Sequence, residues 1–230
     1  MEVVVQGLEP VQTSDRVTDS VYEALREAIF SGILPAGGKL SVPALAEKLN
    51  VSRSPVREAV VRLTQDRLAV EQPRRGAVVA QVGVQELAEL YVVREVLEGV
   101  AARLAVERGG PRLVEDLSEV LDRHEQAVSV SDVAAHTELD MHFHQLLRQA
   151  CGNGHVIRML DEIQAQVRLA MVTTRVTGGP RQAVKDHRAI VEAVAAGDPE
   201  RAERVARAHI VRLRDALQAG TAPAAGLTVS

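Results

Sequence analysis

Between Pro43 and Leu63 the apolar residues form two short helical stripes separated by one tight turn. Leu45, Ala46 and Leu49 give PALAEKLN (Pro43 to Asn50) a single apolar face, and Val51 closes the turn inward. Ala59, Val60 and Leu63 repeat the pattern in the second helix of VSRSPVREAVVRL (Val51 to Leu63). Ser52 or Ser54 can cap that helix, and Pro55 falls in its first turn, where a missing amide proton costs nothing. Beyond Leu68-Ala69-Val70 comes EQPRRGAVVAQV (Glu71 to Val82), whose valines and Arg74-Arg75-Gly76 tip predict a two-stranded hairpin. From Val84 the period is helical almost throughout. Six helices are predicted at 84–108, 112–129, 132–150, 154–175, 181–196 and 199–218. Gly109-Gly110-Pro111, Ser131-Asp132, Gly152-Asn153-Gly154, Gly178-Gly179-Pro180 and Gly197 stop them. Asp198-Pro199 supplies a cap and a first-turn proline. Such short connections favour an antiparallel bundle.

The fold class expected is therefore mostly α. A helix-turn-helix with a hairpin wing occupies residues 16–80, and an all-α bundle of about six helices occupies 84–219.

A short helix, a turn and a second helix opening with hydroxyls and arginines is how many proteins enter a DNA major groove. Arg53 and Arg57 share an outward face near the N-terminus of the second helix, the end that reaches base edges. Ser52 and Ser54 stand beside them. In the wing, Arg74 and Arg75 can neutralise phosphates while Gly76 lets the backbone come close.

In the bundle, polar residues interrupt apolar stripes. Asp140 and His144 lie on one stripe with Leu147 and Cys151, His187 with Ala183, Ile190, Val191 and Val194, and His209 among Val205, Ala206 and Leu213. A carboxylate and three imidazoles thus point inward from three helices. Buried polar groups must satisfy one another or something bound between them. The residues alone leave two readings, ordinary hydrogen-bonded core histidines or a shared ion. Asp140 and His144, four apart, can hold one ion from a single helix. The donor set suits Zn²⁺, Ni²⁺, Fe²⁺ or Mn²⁺ better than Ca²⁺ or Mg²⁺. Of the other histidines, His142 points off this face, and His124, His136 and His155 are expected in polar or helix-end surroundings. Cys151 is expected as a small buried thiol, and Arg94 with Glu98, one turn on, reads from the residues alone as a surface ion pair.

Composition adds little but is consistent. The net charge is -4, yet Arg16 to Ala80 holds 10 Lys/Arg against 7 Asp/Glu, so a mildly basic module precedes an acidic one. With a single cysteine no intrachain disulfide is possible, which suits a reducing compartment. No apolar run reaches membrane-spanning length and no signal-peptide pattern opens the chain, so a cytoplasmic location is expected, with no membrane partner.

The run GILPAGGKL (Gly32 to Leu40), then LAEKLNVSRSPVREAVVRL, then the PRRGAV wing resembles the winged helix-turn-helix of GntR-type transcription regulators, across about sixty residues. Ala36 stands where that family usually has proline, and Arg67 where it usually has glycine. Pro43 occupies a position where some members carry a base-contacting arginine, so their operator preference does not transfer. REVLEGVAARLA (Arg94 to Ala105), DMHFH (Asp140 to His144) followed by CGN, Asp186-His187 and the late His209 resemble the effector domain of the FadR subfamily. That resemblance implies a metabolite-responsive regulator rather than an enzyme. It further implies a homodimer on a palindromic double-stranded DNA operator. Asp140, His144, His187 and His209 would hold a divalent transition metal, zinc first, and a small carboxylate effector would lie beside it with Arg94 as its clamp. Arg168 is a weaker candidate of the same type. A metal-dependent hydrolase and a constitutive DNA binder with a structural metal are the competing readings.

Overall fold

The computed structural model describes residues 15–174 and 179–221 and divides into two compact units, Met1–Ala80 and Gln81–Ser230.

The first unit runs α1 (Asp15–Phe30), α2 (Val42–Leu49), α3 (Arg53–Gln65), β1 (Ala69–Gln72) and β2 (Gly76–Val79). α1 is an addition to the predicted elements. Its buried stripe of Val21, Tyr22, Leu25 and Ile29 packs on α3, which turns in Val56, Ala59, Val60 and Leu63. The two helices are also pinned by polar contacts. The Tyr22 hydroxyl donates to Asp66 at 2.5 Å, and the Arg62 guanidinium lies 4.3 Å from the Tyr22 ring centroid. α2 ends at Asn50, whose left-handed backbone (φ 53) lets its N–H bond back to the Ala46 and Glu47 carbonyls. Ser52 occupies the N-cap of α3, but no side chain caps the helix; the Ser54 hydroxyl donates instead to Glu58 at 3.2 Å. The capping expected of these serines is therefore absent, because Glu58, one turn on, offers Ser54 a charged acceptor.

The wing pairs Ala69 with Val79 through Gln72 with Gly76, antiparallel. It ends at Val79, short of the predicted Val82, and a bridge from Lys39 to Val78 covers its outer edge.

The second unit contains α4 (Val84–Arg108), α5 (Gly110–Ser129), α6 (Val133–Ala150), α7 (Gly154–Thr174), α8 (Pro180–Ala195) and α9 (Pro199–Thr221). α4 packs against α6, α7, α8 and α9. Its buried residues accordingly include Leu87, Tyr91, Arg94, Glu98 and Ala102. Gly99 lets side chains of α9 come close, since a Cβ there would lie 2.5 Å from Arg207 Cγ. The main core joins α5, α6, α8 and α9 through Leu117, Phe143, Leu147, Ile190 and Ala206. Cys151 is fully buried in a smaller cluster with Ala101, Val156 and Leu160. Asp132 caps α6 by accepting from the Ala135 amide at 3.0 Å, and Asp198 accepts from Arg201 at the start of α9.

Candidate nucleic-acid interface and metal centre

On the first unit, burial of one side of α3 leaves Ser52, Arg53, Ser54 and Arg57 exposed on the other. Glu58 organises this face from behind, accepting from Ser54 at 3.2 Å and from Thr18 of α1 at 3.3 Å. At the wing tip Arg74 and Gly76 both have left-handed backbones (φ 65 and 75), and Arg75 donates to Gln72 at 3.1 Å. Nothing lies within 4 Å of a Cβ built on Gly76, so its glycine serves the backbone conformation and an unobstructed approach. Arg74, Arg75 and Gly76 are all exposed.

In the second unit, α6 contributes Asp140 and His144, α8 His187 and α9 His209. One ligand atom from each lies within 4.8 Å of the other three. The three imidazoles are buried, and Asp140 is half-buried. Glu98 reaches the Nδ1 of His144 at 3.2 Å, and Asp186 the Nδ1 of His209 at 3.0 Å. A carboxylate on Nδ1 fixes the tautomer with its proton there and leaves the Nε2 lone pair bare. Among the described residues, the Nε2 atoms of His144 and His209 and both nitrogens of His187 are buried without a hydrogen-bond partner. Leaving such atoms unsatisfied costs about 1–3 kcal/mol each. An ion accepting three Nε2 lone pairs and one Asp140 oxygen removes that cost, so the residues fit a transition metal. His187 Nε2 already lies 3.6 Å from Asp140 Oδ1, and the His187 ring is stacked on Phe143 with centroids 4.0 Å apart.

The supporting carboxylates are themselves held. Arg94 Nε contacts Glu98 at 3.3 Å, while Asp186 accepts from Arg212 at 2.9 Å and Gln182 at 2.9 Å. Burial alone would raise the Glu98 carboxyl, but His144 and Arg94 outweigh it and hold it well below the usual carboxylate range. Burial pushes His187 well down, aided by His209, His144 and His124; burial also lowers His209 against the opposing pull of Asp186. Both imidazoles are thereby kept in the neutral form that binds metals.

Arg94 is 1% exposed, which excludes the surface ion pair, and its Nη2 is buried without a partner. Arg168 is half-buried on α7. His142 and His155 are exposed. The expectation for His124 needs correction, since it is 0% exposed and its Nε2 lies 2.5 Å from Nδ1 of the half-buried His136. Its ring centroid is 5.4 Å from that of His187. The signal was present in the sequence, because His124 continues the buried α5 stripe of Leu117, Val120, Leu121 and Ala127.

Residues 17–79 match the gntR family of bacterial regulatory proteins, and residues 89–212 match the FCD domain. Among curated relatives, the HTH-type transcriptional repressor RspR of Escherichia coli is 26% identical over 203 residues, covering 88% of this chain and 89% of that protein. The gluconate operon transcriptional repressor of Bacillus subtilis is 33% identical over 135 residues, covering 59% of this chain and 55% of that one. A GntR regulator from Rhodococcus sp. RHA1, described as a crystal structure of a transcriptional regulator, superimposes with a TM-score of 0.72 at 26% identity. It covers 90% of this chain and all of its own, 100%.

Proposed function

Starting from the fact that this chain belongs to the gntR family of bacterial regulatory proteins, with an FCD domain as its second unit, we propose that it is a metabolite-responsive repressor. That it is a DNA-binding transcription regulator and not an enzyme follows from its relatives. Repression is inferred from the named functions of two of them.

Ser52, Arg53, Ser54 and Arg57 contact bases and phosphates, and Arg74, Arg75 and Gly76 grip the flanking backbone. Each recognition unit reads one half-site, so two copies of the chain bind a palindromic operator. Asp140, His144, His187 and His209 hold a divalent transition metal, zinc first, with Ni, Fe and Mn as alternatives. The ion would supply a fixed positive charge for an anionic ligand. The effector is a small organic acid whose carboxylate is clamped by Arg94, with Arg168 as a second cation. The observation that carries this reading is the convergence of Asp140, His144, His187 and His209 with the imidazole Nε2 atoms buried and unpartnered, together with a buried guanidinium nitrogen, Arg94 Nη2, that also lacks a partner among the described residues. Differential binding of effector to two arrangements of the dimer then biases operator affinity.

The decisive experiment compares wild type with His187→Ala in elemental analysis and in operator titrations, with gluconate as the first acid tested and dicarboxylates next. The variant is expected to remain helical, to carry substoichiometric metal, to bind operator normally and to ignore acids that release the wild type. Full metal content would remove His187 from the ligand set. An unchanged response after metal loss would make the ion structural.

A further inference from the structure

A cavity opens between the α5–α6 turn and the start of α8. It has a volume of about 560 Å³, within the range of small-molecule sites. Val128, Val133 and Pro180 give it apolar walls, and Val133 is 61% exposed, a large apolar side chain left open to solvent on this rim.

Two cations, Arg181 and Lys185, stand on the same lip. They are four residues apart on α8 and so share a face, where like charges repel. Among the described residues neither has an ion-pair partner. Asp132, the acid on this wall, has its Oδ1 engaged as the cap of α6. An anion lying between Arg181 and Lys185 relieves their repulsion, and an aliphatic or aryl body covers the valines.

His136 forms part of the wall and is the 2.5 Å partner of His124, whose Nδ1 is buried without a hydrogen bond. The rings of His136, His124 and His187 follow one another with centroids 4.8 Å and 5.4 Å apart. A ligand in the cavity therefore touches one end of a file of imidazoles whose other end is His187.

We propose that this cavity is a binding site for an amphipathic monocarboxylate, distinct from the central cluster and not requiring an ion there. The charge is taken by Arg181 and Lys185 and the apolar body by Val128 and Val133. Occupancy is felt at His187 through His136 and His124.

The test uses full-length protein in chelator, titrated with hexanoate and followed by histidine ring resonances and calorimetry. Saturable binding is expected, shifting His136 first and His124 and His187 with it. Affinity should rise from acetate to hexanoate by up to about fourfold per added methylene. The double variant Arg181→Gln/Lys185→Gln, checked for unchanged helicity, should bind hexanoate at least tenfold more weakly, while hexan-1-ol binding should be indifferent to it. His209→Ala, used only where its helicity and thermal unfolding in chelator match the wild type, should bind hexanoate like the wild type. Absence of hexanoate binding to wild type would overturn the proposal, as would undiminished binding to the double variant. Loss of binding in His209→Ala would place the carboxylate in the central cluster and also overturn it. Because chelated protein is used throughout, these outcomes do not depend on whether the cluster holds a metal.

Discussion

The exposed face of α3, built from arginines and serines, and the centre of the bundle, built from imidazoles, carboxylates and one arginine, meet their hydrogen-bonding needs in opposite ways. Ser52, Arg53 and Arg57 are exposed, and water meets their hydrogen-bonding needs until another partner arrives. His144, His187, His209 and Arg94 are buried, with nitrogens that no group among the described residues satisfies. An exposed site costs the fold almost nothing. A buried one must be carried by the surrounding structure, here by Glu98 and Asp186, which turn two imidazoles and hold them. The first can be altered with little effect on stability, whereas the second cannot.

The sharpest way to break that contrast is at Glu98, which joins Arg94 to His144. Glu98→Ala strands a buried guanidinium and should cost the second unit about 3–5 kcal/mol in urea unfolding. A loss below about 1 kcal/mol, the usual surface-pair range, would mean that water relaxes this network as it does at the surface.

At the exposed site the expected loss is in binding. Arg53→Ala should cost about 1–3 kcal/mol on operator, with reduced discrimination and unchanged stability. Arg75→Ala should weaken all sequences alike and lower the salt slope by about one. Full affinity in both variants would put DNA on another face.

A more graded effect separates the two regions by pH. Burial holds His124 down to about 4, against an ordinary value near 6.5. Between those values the unfolded chain binds more protons than the folded one, so stability falls as pH drops through this window. Burial lowers His187, His209 and His136 in the same direction. The depressed Glu98 and Asp186 add nothing there, since their contribution is lost only below the ordinary carboxylate range. Metal-free second unit should therefore lose stability between pH 7 and 5, by about 2 kcal/mol from His124 alone. His124→Phe should flatten the slope. A slope untouched by that change would assign the effect to other groups.

The smallest effect concerns backbone. Arg67 has a left-handed backbone, φ 58, a conformation that favours glycine. Arg67→Gly should stabilise the first unit by up to about 1 kcal/mol, the usual strain of a side chain in that conformation less the entropy glycine brings to the unfolded state. Thermal unfolding would show it, and a destabilised variant would mean that the arginine makes a compensating contact.

Local chemistry explains which parts of this structure could be read from the sequence. Helices α4 to α9 are bounded by glycines, prolines and aspartate caps, signals that act within a few residues, and all were found within two residues of their ends apart from α9, which runs on to Thr221. α5 begins at Gly110 rather than 112 because Gly110, with φ 67, turns the chain directly into the helix. α1 carries an equally regular stripe, but it lacks the adjacent turn and arginines that drew α2 and α3 into view. The four inward-facing polar residues are legible because they interrupt three apolar stripes, Asp140 and His144 sharing one. Their supports were less so: Glu98 meets His144 across two helices, a relation no spacing encodes. His124 was misplaced because its polar neighbours Asp122, Arg123 and Glu125 masked an otherwise continuous stripe.

The placement of the aromatic residues gives the molecule an optical label of its own. The chain has two tyrosines and no tryptophan. Tyr22 lies in the first unit with its hydroxyl on a carboxylate, a contact that quenches emission, while Tyr91 lies in the second, 5.6 Å from the Arg94 guanidinium carbon. Single-tyrosine variants made by Tyr22→Phe or Tyr91→Phe thus let the fluorescence of each unit be followed alone. In the Tyr22→Phe protein, a carboxylate arriving at Arg94 would be seen by its neighbouring ring without any attached dye.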